Sequence, residues 1–317
     1  MSHSLIYPVA TGRCGTVFLS KLLELNLPAG EAAVFHERTG FPHFGLNTPD
    51  ASHFTTFNSI GNAPVVRQFF EQKLRRDLES EPPLHIEISH FLCKAGLIEN
   101  LDLVENEAVV ELIALKRDPF KIAWSFANRF NFFNVGFSWL FGLDPRYPNV
   151  IVSSEPFHEF GMFGSAVWYV NEMFARMEYY RRLVEPNPQV KWHAVELESI
   201  VKPEGAAEFL STLGLYRDAD QVVMPGRENA TSQRFFGKNE EDVTRKAFED
   251  HWTDPVQAGT DYFESGKRLS RAGRKTRTLG LVHSPPAMKR GVGQSSAANV
   301  IRLEVASETG ALIKAKA

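Results

Sequence analysis

Glu111-Leu112-Ile113-Ala114-Leu115-Lys116-Arg117-Asp118-Pro119-Phe120-Lys121-Ile122-Ala123-Trp124-Ser125-Phe126 reads as an apolar strand that runs directly into a helix. From Ala108 to Leu115 only Glu111 interrupts the apolar residues, the pattern of a parallel strand buried on both faces. Asp118 and Pro119 then suit the N-cap and the first helical position. Arg117 stands at the carboxyl end of the strand and Ser125 two turns into the helix, where a guanidinium and a hydroxyl converge on one anion. Ligands of open α/β sheets gather along that edge. A second corner of the same kind lies upstream: Leu5-Ile6-Tyr7-Pro8-Val9-Ala10 ends in Thr11-Gly12-Arg13-Cys14-Gly15-Thr16 and leads at once into the helical pattern Val17 to Leu23.

Outward from these corners, Ala32-Ala33-Val34-Phe35 is a short strand ending in His36-Glu37-Arg38, followed by a loop rich in Gly, Pro, His and Asn through Ser52. Further strands are expected at Leu84 to His90 and Val190 to Val195, with helices over 64–78, 118–130, 163–184 and 204–213, the last stopped by Gly214. Strands alternating with helices predict an α/β fold with a parallel, doubly wound sheet and flanking helices. A chain of 317 residues accommodates one large domain, expected over 1–265, and a tail over 266–317. Lys267, Arg268, Arg271, Arg274, Lys275, Arg277, Lys289 and Arg290 make the start of that tail basic, with no acidic residue between them. A run of this kind is either a solvated tail or a docking element for an acidic partner or a phosphate.

A net charge of -3 gives no global attraction to nucleic acid, so no nucleic-acid partner is expected and any anion site has to be local. Cys14 and Cys93 are too few for a disulfide scaffold or a cysteine-rich zinc site, which points to a reducing compartment. No basic segment followed by an apolar run opens the chain, and no stretch approaches the roughly 18 apolar residues of a membrane span. A soluble cytoplasmic protein is the resulting expectation.

The upstream corner is not a Walker A loop, because G-x-x-x-x-G-K-[ST] requires Lys before the hydroxyl and Gly15 precedes Thr16 here. It can still form an anion nest. Gly12 and Gly15 let the backbone turn close to a ligand, Gly15, Thr16 and Val17 present N–H groups at a helix start, and Arg13 adds a full charge. The competing reading is an ordinary strand-to-helix turn in which Thr16 serves as a cap.

Together the two corners resemble the sulfotransferases that use 3′-phosphoadenosine 5′-phosphosulfate (PAPS). Arg13-Cys14-Gly15-Thr16 is similar to that family's [KR]-[SG]-G-[ST] loop, with Cys in the second position, and Arg117-Asp118-Pro119 with Ser125 resembles its R-[DN]-P strand end and following Ser. Glu196, Pro203 and Leu213-Gly214-Leu215 resemble a looser family pattern with the register off by a residue, and Lys289-Arg290-Gly291-Val292-Gly293 is faintly similar to a basic carboxyl-terminal loop. The resemblance implies a P-loop-like fold, PAPS as co-substrate and no required metal. It implies that Arg13, Cys14, Gly15, Thr16 and Val17 hold the 5′-phosphosulfate while Arg117 and Ser125 clamp the 3′-phosphate. The expected reaction moves a sulfuryl group to a hydroxyl or amine of a small-molecule, lipid or carbohydrate acceptor.

An acceptor hydroxyl benefits from a general base. Glu37 is the candidate, with His36 as competitor, since neighbouring residues of an extended chain point to opposite sides and only one can face the cleft. His90 is a third possibility, although a lone His after a strand is more often structural. Phe126, Phe130, Phe132, Phe133, Phe137, Trp139 and Phe141, interleaved with Asn128, Arg129, Asn131 and Asn134, form either ordinary core or an aromatic acceptor lid. Two other functions stay open: an ATP-dependent P-loop-type kinase, and a phosphoadenosine-nucleotide binding module without turnover.

Overall fold

The structure is a computed structural model and describes residues 3–28, 30–133, 142–215, 218–226 and 234–271. Its centre is a five-stranded parallel sheet: β1 His3–Val9, β2 Ala32–His36, β3 Leu84–Ile88, β4 Ala108–Lys116 and β5 Val190–Glu196, in the order β2-β3-β1-β4-β5. Leu5 through Val9 and Val110 through Leu115 are buried at every position, odd and even, so both faces of the sheet are covered. Glu111, the one polar break in that run, is neutralised across the sheet by His193 at 2.7 Å and Lys191 at 3.1 Å on β5.

Helices connect the strands: α1 Thr16–Asn26, α2 Ala51–Ile60, α3 Pro64–Leu78, α4 His90–Lys94, α5 Pro119–Ala127, α6 Gly161–Val184, α7 Leu197–Ile200, α8 Pro203–Thr212, α9 Lys238–His251 and α10 Pro255–Glu264. The starts follow capping chemistry. The Asp118 carboxylate accepts from the Lys121 N–H at 2.8 Å with Pro119 first in α5, and Asp254 with Pro255 repeats the device in α10. Gly214, at φ 74, stops α8 while the Leu215 N–H closes back on the Leu210 carbonyl at 2.9 Å. Helix α5 ends at Ala127, earlier than its sequence pattern, because Phe130 turns to φ 57.

α6 is buried nearly all round, as a helix inside a large core must be. Its Trp168, Tyr169, Met173 and Met177 are core residues, and Phe174 packs against the core from a partly exposed position. Glu172 accepts from the Ile151 and Val152 N–H groups at 2.9 and 2.8 Å and pairs with Arg176 at 2.6 Å, satisfying a buried loop with a buried ion pair. The compact unit runs from Met1 to Arg274. It therefore includes Gly266–Arg271, which the sequence pattern assigns to the tail; there Leu269 is buried, with its N–H donated to the Tyr179 hydroxyl at 3.1 Å. Residues 272–317, with the faint Lys289 to Gly293 similarity and five of the eight basic residues of the run, lie outside the described residues. No helix among the described residues is long and apolar enough to cross a membrane.

The connection leaving β1 leads to β2 on one side of the sheet, and that leaving β4 leads to β5 on the other. The carboxyl ends of β1 and β4 thus flank the switch point where open α/β sheets bind ligands.

Near the amino end of β5 lies a tunable electrostatic weakness. Neither carboxylate oxygen of Glu99, in the 3₁₀ turn Ile98–Val104, finds a hydrogen-bond partner among the described residues. Burial pushes this carboxyl up to about 8, with the Arg176 charge opposing. Between its ordinary value of 4.5 and about 8 the unfolded chain releases a proton that the fold retains, so stability falls as pH rises across that window. Glu99→Gln is expected to raise the melting temperature at pH 7.5, by about 2–4 °C for each kcal/mol relieved. The gain disappears at pH 4, where both states keep the proton; thermal unfolding at the two pH values checks this.

Candidate functional site

The chain leaves β1 through three left-handed residues, Gly12 at φ 80, Arg13 at φ 57 and Gly15 at φ 101. Both glycines are also demanded by space. A Cβ on Gly12 would lie 2.8 Å from His90 Nε2, and one on Gly15 would lie 2.5 Å from Leu197 Cδ1. Gly15 is the N-cap of α1, and no side chain among the described residues caps that end. Thr16 does not act as the cap: its hydroxyl donates to Glu37 Oε1 at 3.3 Å. The first N–H groups of α1 are left as a positive helix end beside a turn that concentrates further N–H groups. Cys14 contributes backbone only, since its side chain is buried and burial pushes the thiol up to about 11.

The second corner closes onto the first. Arg117 Nη1 donates to the Arg13 carbonyl at 3.2 Å, and Arg13 Nε donates to Ser125 Oγ at 3.2 Å. Residues more than 100 positions apart thus form one cluster at the switch point. Burial, the Arg129 guanidinium and, more weakly, Arg117 push Arg13 down to about 10, with Glu37 opposing. Three guanidiniums gathered beside an uncapped helix start, two of them depressing the third, can attract an anion of more than one charge.

His36 and Glu37 were expected to point to opposite sides, and the structure corrects this. Glu37 leaves the extended conformation for φ 36, which brings both side chains to Thr16: His36 Nε2 lies 3.4 Å from Thr16 Oγ1 and 3.7 Å from Glu37 Oε1. His90 joins them, its Nε2 3.4 Å from Glu37 Oε1. Burial, with Lys94, His36 and Arg13, holds His90 well below the ordinary histidine value, and burial lowers His36 as well. At neutral pH both imidazoles are therefore uncharged. His90 is less a structural residue than its sequence context indicates, because its ring closes against the loop glycine and faces the carboxylate.

A cavity of about 600 Å³ joins these groups. Its lining combines the polar groups of Arg13, Thr16, Glu37, His90, Arg129 and Asn131 with the rings of Phe126, Phe130 and Phe235. The aromatic segment accordingly divides: Phe126 and Phe132 are core, Phe130 is a cavity wall and Phe133 is exposed. Phe137, Trp139, Phe141 and Asn134 lie outside the described residues. The Asn128 side chain, one of the interleaved polar residues, accepts from the Phe235 and Phe236 N–H groups at 2.9 and 3.0 Å and fastens a distant strap to the end of α5. Sequence reading missed that strap, although Arg234-Phe235-Phe236-Gly237-Lys238 is an aromatic pair between two cations.

Immediately behind Glu37, Arg38 reaches into a buried ionic network. It pairs with Glu87 and lies 3.6 Å from Asp77, while Lys73 bonds Asp77 and, at 2.7 Å, Glu87, and the Tyr7 hydroxyl donates to Asp77 at 2.6 Å. Lys73, a hydrogen bond from His85, and Arg38 hold Glu87 well below the carboxylate range despite its burial. Asp77, His85 and Glu87 place ligand atoms within 4.8 Å of one another, but two cations already sit on the same carboxylates. This arrangement serves structure better than metal binding.

No protein-family model, curated protein or solved structure matches the chain.

Loop geometry makes a differential prediction. Gly214→Ala introduces a side chain at φ 74 in open space and should cost about 1–2 kcal/mol. Gly12→Ala adds the clash with the buried His90 ring to the same backbone penalty and should cost more. Chemical denaturation of the two variants compares them, and equal losses would show that the ring is free to move aside.

Proposed function

We propose that the chain is a PAPS-dependent sulfotransferase with a P-loop-like nucleotide site. The observation that carries this reading is the convergence of Arg13, Arg117 and Ser125 on an uncapped, left-handed helix start, opposite a carboxylate flanked by two neutral imidazoles. In this reading Arg117 and Ser125 take the 3′-phosphate. The N–H groups of Gly15, Thr16 and Val17 take the 5′-phosphosulfate, together with the Cys14 backbone.

Transfer is an in-line displacement with a loose transition state, for which positioning and charge stabilisation supply most of the acceleration. The acceptor oxygen forms a bond to sulfur as the bond from sulfur to the bridging oxygen breaks, and the nucleotide leaves as 3′-phosphoadenosine 5′-phosphate. Arg13 stabilises the charge growing on that leaving group. The acceptor's proton passes to Glu37, whose carboxylate is oriented by the Thr16 hydroxyl and faced by His90; His36 adjoins the same oxygen as a possible relay. The scheme requires no metal.

A second reading, ATP-dependent phosphoryl transfer, draws on the Thr16–Glu37 pair, since a hydroxyl and a carboxylate at 3.3 Å are a familiar seat for Mg²⁺. It lacks the lysine that a P-loop kinase places before that hydroxyl. Melting temperature distinguishes the readings. 3′-Phosphoadenosine 5′-phosphate at about 100 times its Kd should stabilise the protein by about 2.7 kcal/mol and ADP much less; a response confined to ATP with Mg²⁺ selects the kinase. Arg117→Ala should weaken 3′-phosphoadenosine 5′-phosphate by about 1.5–3 kcal/mol, through loss of a charge-assisted bond. Glu37→Gln should reduce turnover about 100- to 10,000-fold with nucleotide binding retained. Nucleotide stabilisation without turnover for any acceptor would identify a binding module.

A further inference from the structure

The aromatic lining of the cavity carries information about the acceptor that the nucleotide corners do not. Phe130 is held at φ 57, an uncommon conformation for a bulky residue, and its ring meets Phe235 at 5.4 Å and Phe236 at 4.8 Å, both edge-on or tilted. Strain of this kind persists only where the surroundings enforce it, and here the Asn128 clasp and the strap supply the enforcement. The aromatic wall does not end inside the cavity. Phe133 packs on Phe130 at 6.2 Å and is 71% exposed, while Phe235 is 58% exposed, so a continuous aromatic surface leads from the cavity out to solvent. Large exposed rings contiguous with a cavity mark a surface that a ligand covers. Glu37 and His90, the polar groups that could receive a hydroxyl, line the same cavity as these rings.

Resting on the sulfuryl-transfer reading, we infer that the acceptor is a hydroxylated hydrophobic molecule, its hydroxyl at Glu37 and His90 and its apolar body along Phe126, Phe130 and Phe235, and that it is not a carbohydrate. A flat or extended apolar body removes those rings from water, a gain that a monosaccharide, whose surface is mostly hydroxyl, does not match. The cavity is a few hundred Å³ in volume, and the exposed continuation through Phe133 favours an acceptor that extends beyond it. Both a polycyclic phenol and a long-chain alcohol satisfy this chemistry.

The test measures sulfuryl transfer from PAPS to three acceptors: a polycyclic phenol, a long-chain primary alcohol and a monosaccharide. At least one apolar acceptor is expected to exceed the sugar about 100-fold in kcat/KM, and comparison of the two identifies a flat or an extended body. Phe130→Ala and Phe235→Ala should each raise KM for that acceptor about 10-fold, with the melting shift produced by 3′-phosphoadenosine 5′-phosphate unchanged, which also shows that the variants are folded. Preference for the sugar, an unchanged KM in both variants, or a nucleotide shift without transfer to either apolar acceptor would overturn the inference while leaving the nucleotide site intact. Absence of the nucleotide shift in the unmodified protein would instead remove the sulfuryl-transfer reading, and this inference with it.

Discussion

The left-handed path from Gly12 to Gly15 is the constraint on which the molecule's organisation depends, because four distant parts of the chain are shaped around it. The Tyr169 hydroxyl of the central helix donates to the Thr11 carbonyl, and Arg117 at the end of β4 donates to the Arg13 carbonyl. The His90 ring closes over Gly12 from the end of β3, and Leu197 closes over Gly15 from the end of β5. A loop with this many positive dihedrals has poor intrinsic stability. It is held by packing and by hydrogen bonds to its carbonyls, which leaves the N–H groups at the start of α1 without a side-chain cap. The same contacts that stabilise the turn therefore prepare it for an anion.

Preparation of the carboxylate beside that turn follows a different physical route. Glu37 adopts φ 36 between two fixed points: His36 is the last residue of β2, paired in register with Ile88, and Arg38 is drawn into the Asp77–Glu87 network with its guanidinium over the Phe35 ring at 4.3 Å. Burying five or six ionic and polar groups carries a large desolvation cost, and such networks contribute little net stability compared with a well-packed apolar core. What this network contributes is direction. It holds the residue after Glu37 against β3 and α3, so the chain has to turn at Glu37, and its carboxylate is delivered to Thr16 and His90.

The fold was largely legible because its signals are local. The apolar runs of β1 and β4, Pro119 after Asp118, and Gly214 after α8 each declare themselves within a few residues, and the two corners follow from strand ends meeting helix starts. What escaped was set by long-range contacts. Alternation along an extended strand made His36 and Glu37 exclusive, and only the pull on Arg38 from residues 39 and 49 positions away changes that geometry. His90 looked ordinary because its significance lies in touching Gly12, and the strap at Phe235 became meaningful only when Asn128 joined it across 107 residues. Glu111, by contrast, was visible as an anomaly in an apolar strand, and its explanation lay one strand away in His193 and Lys191.

The balance of charge across the cavity bears on why such an arrangement suits group transfer better than simple anion capture. A site for static binding gains from the largest uncompensated positive potential, yet here Glu37 lies near enough to Arg13 to oppose its depression by Arg129 and Arg117. That carboxylate weakens the attraction for a bound anion. It becomes favourable when an acceptor proton moves onto it as negative charge moves toward the arginines, because both changes then reduce like-charge opposition within one enclosed space. Interactions that improve only as the reaction proceeds are the ones that accelerate it. With both imidazoles neutral at pH 7, neither adds a cation that competes with the guanidiniums for the developing charge. In the proposed transfer reaction, a carboxylate placed beside the guanidiniums is thus an electrostatic cost in the resting protein that the reaction recovers.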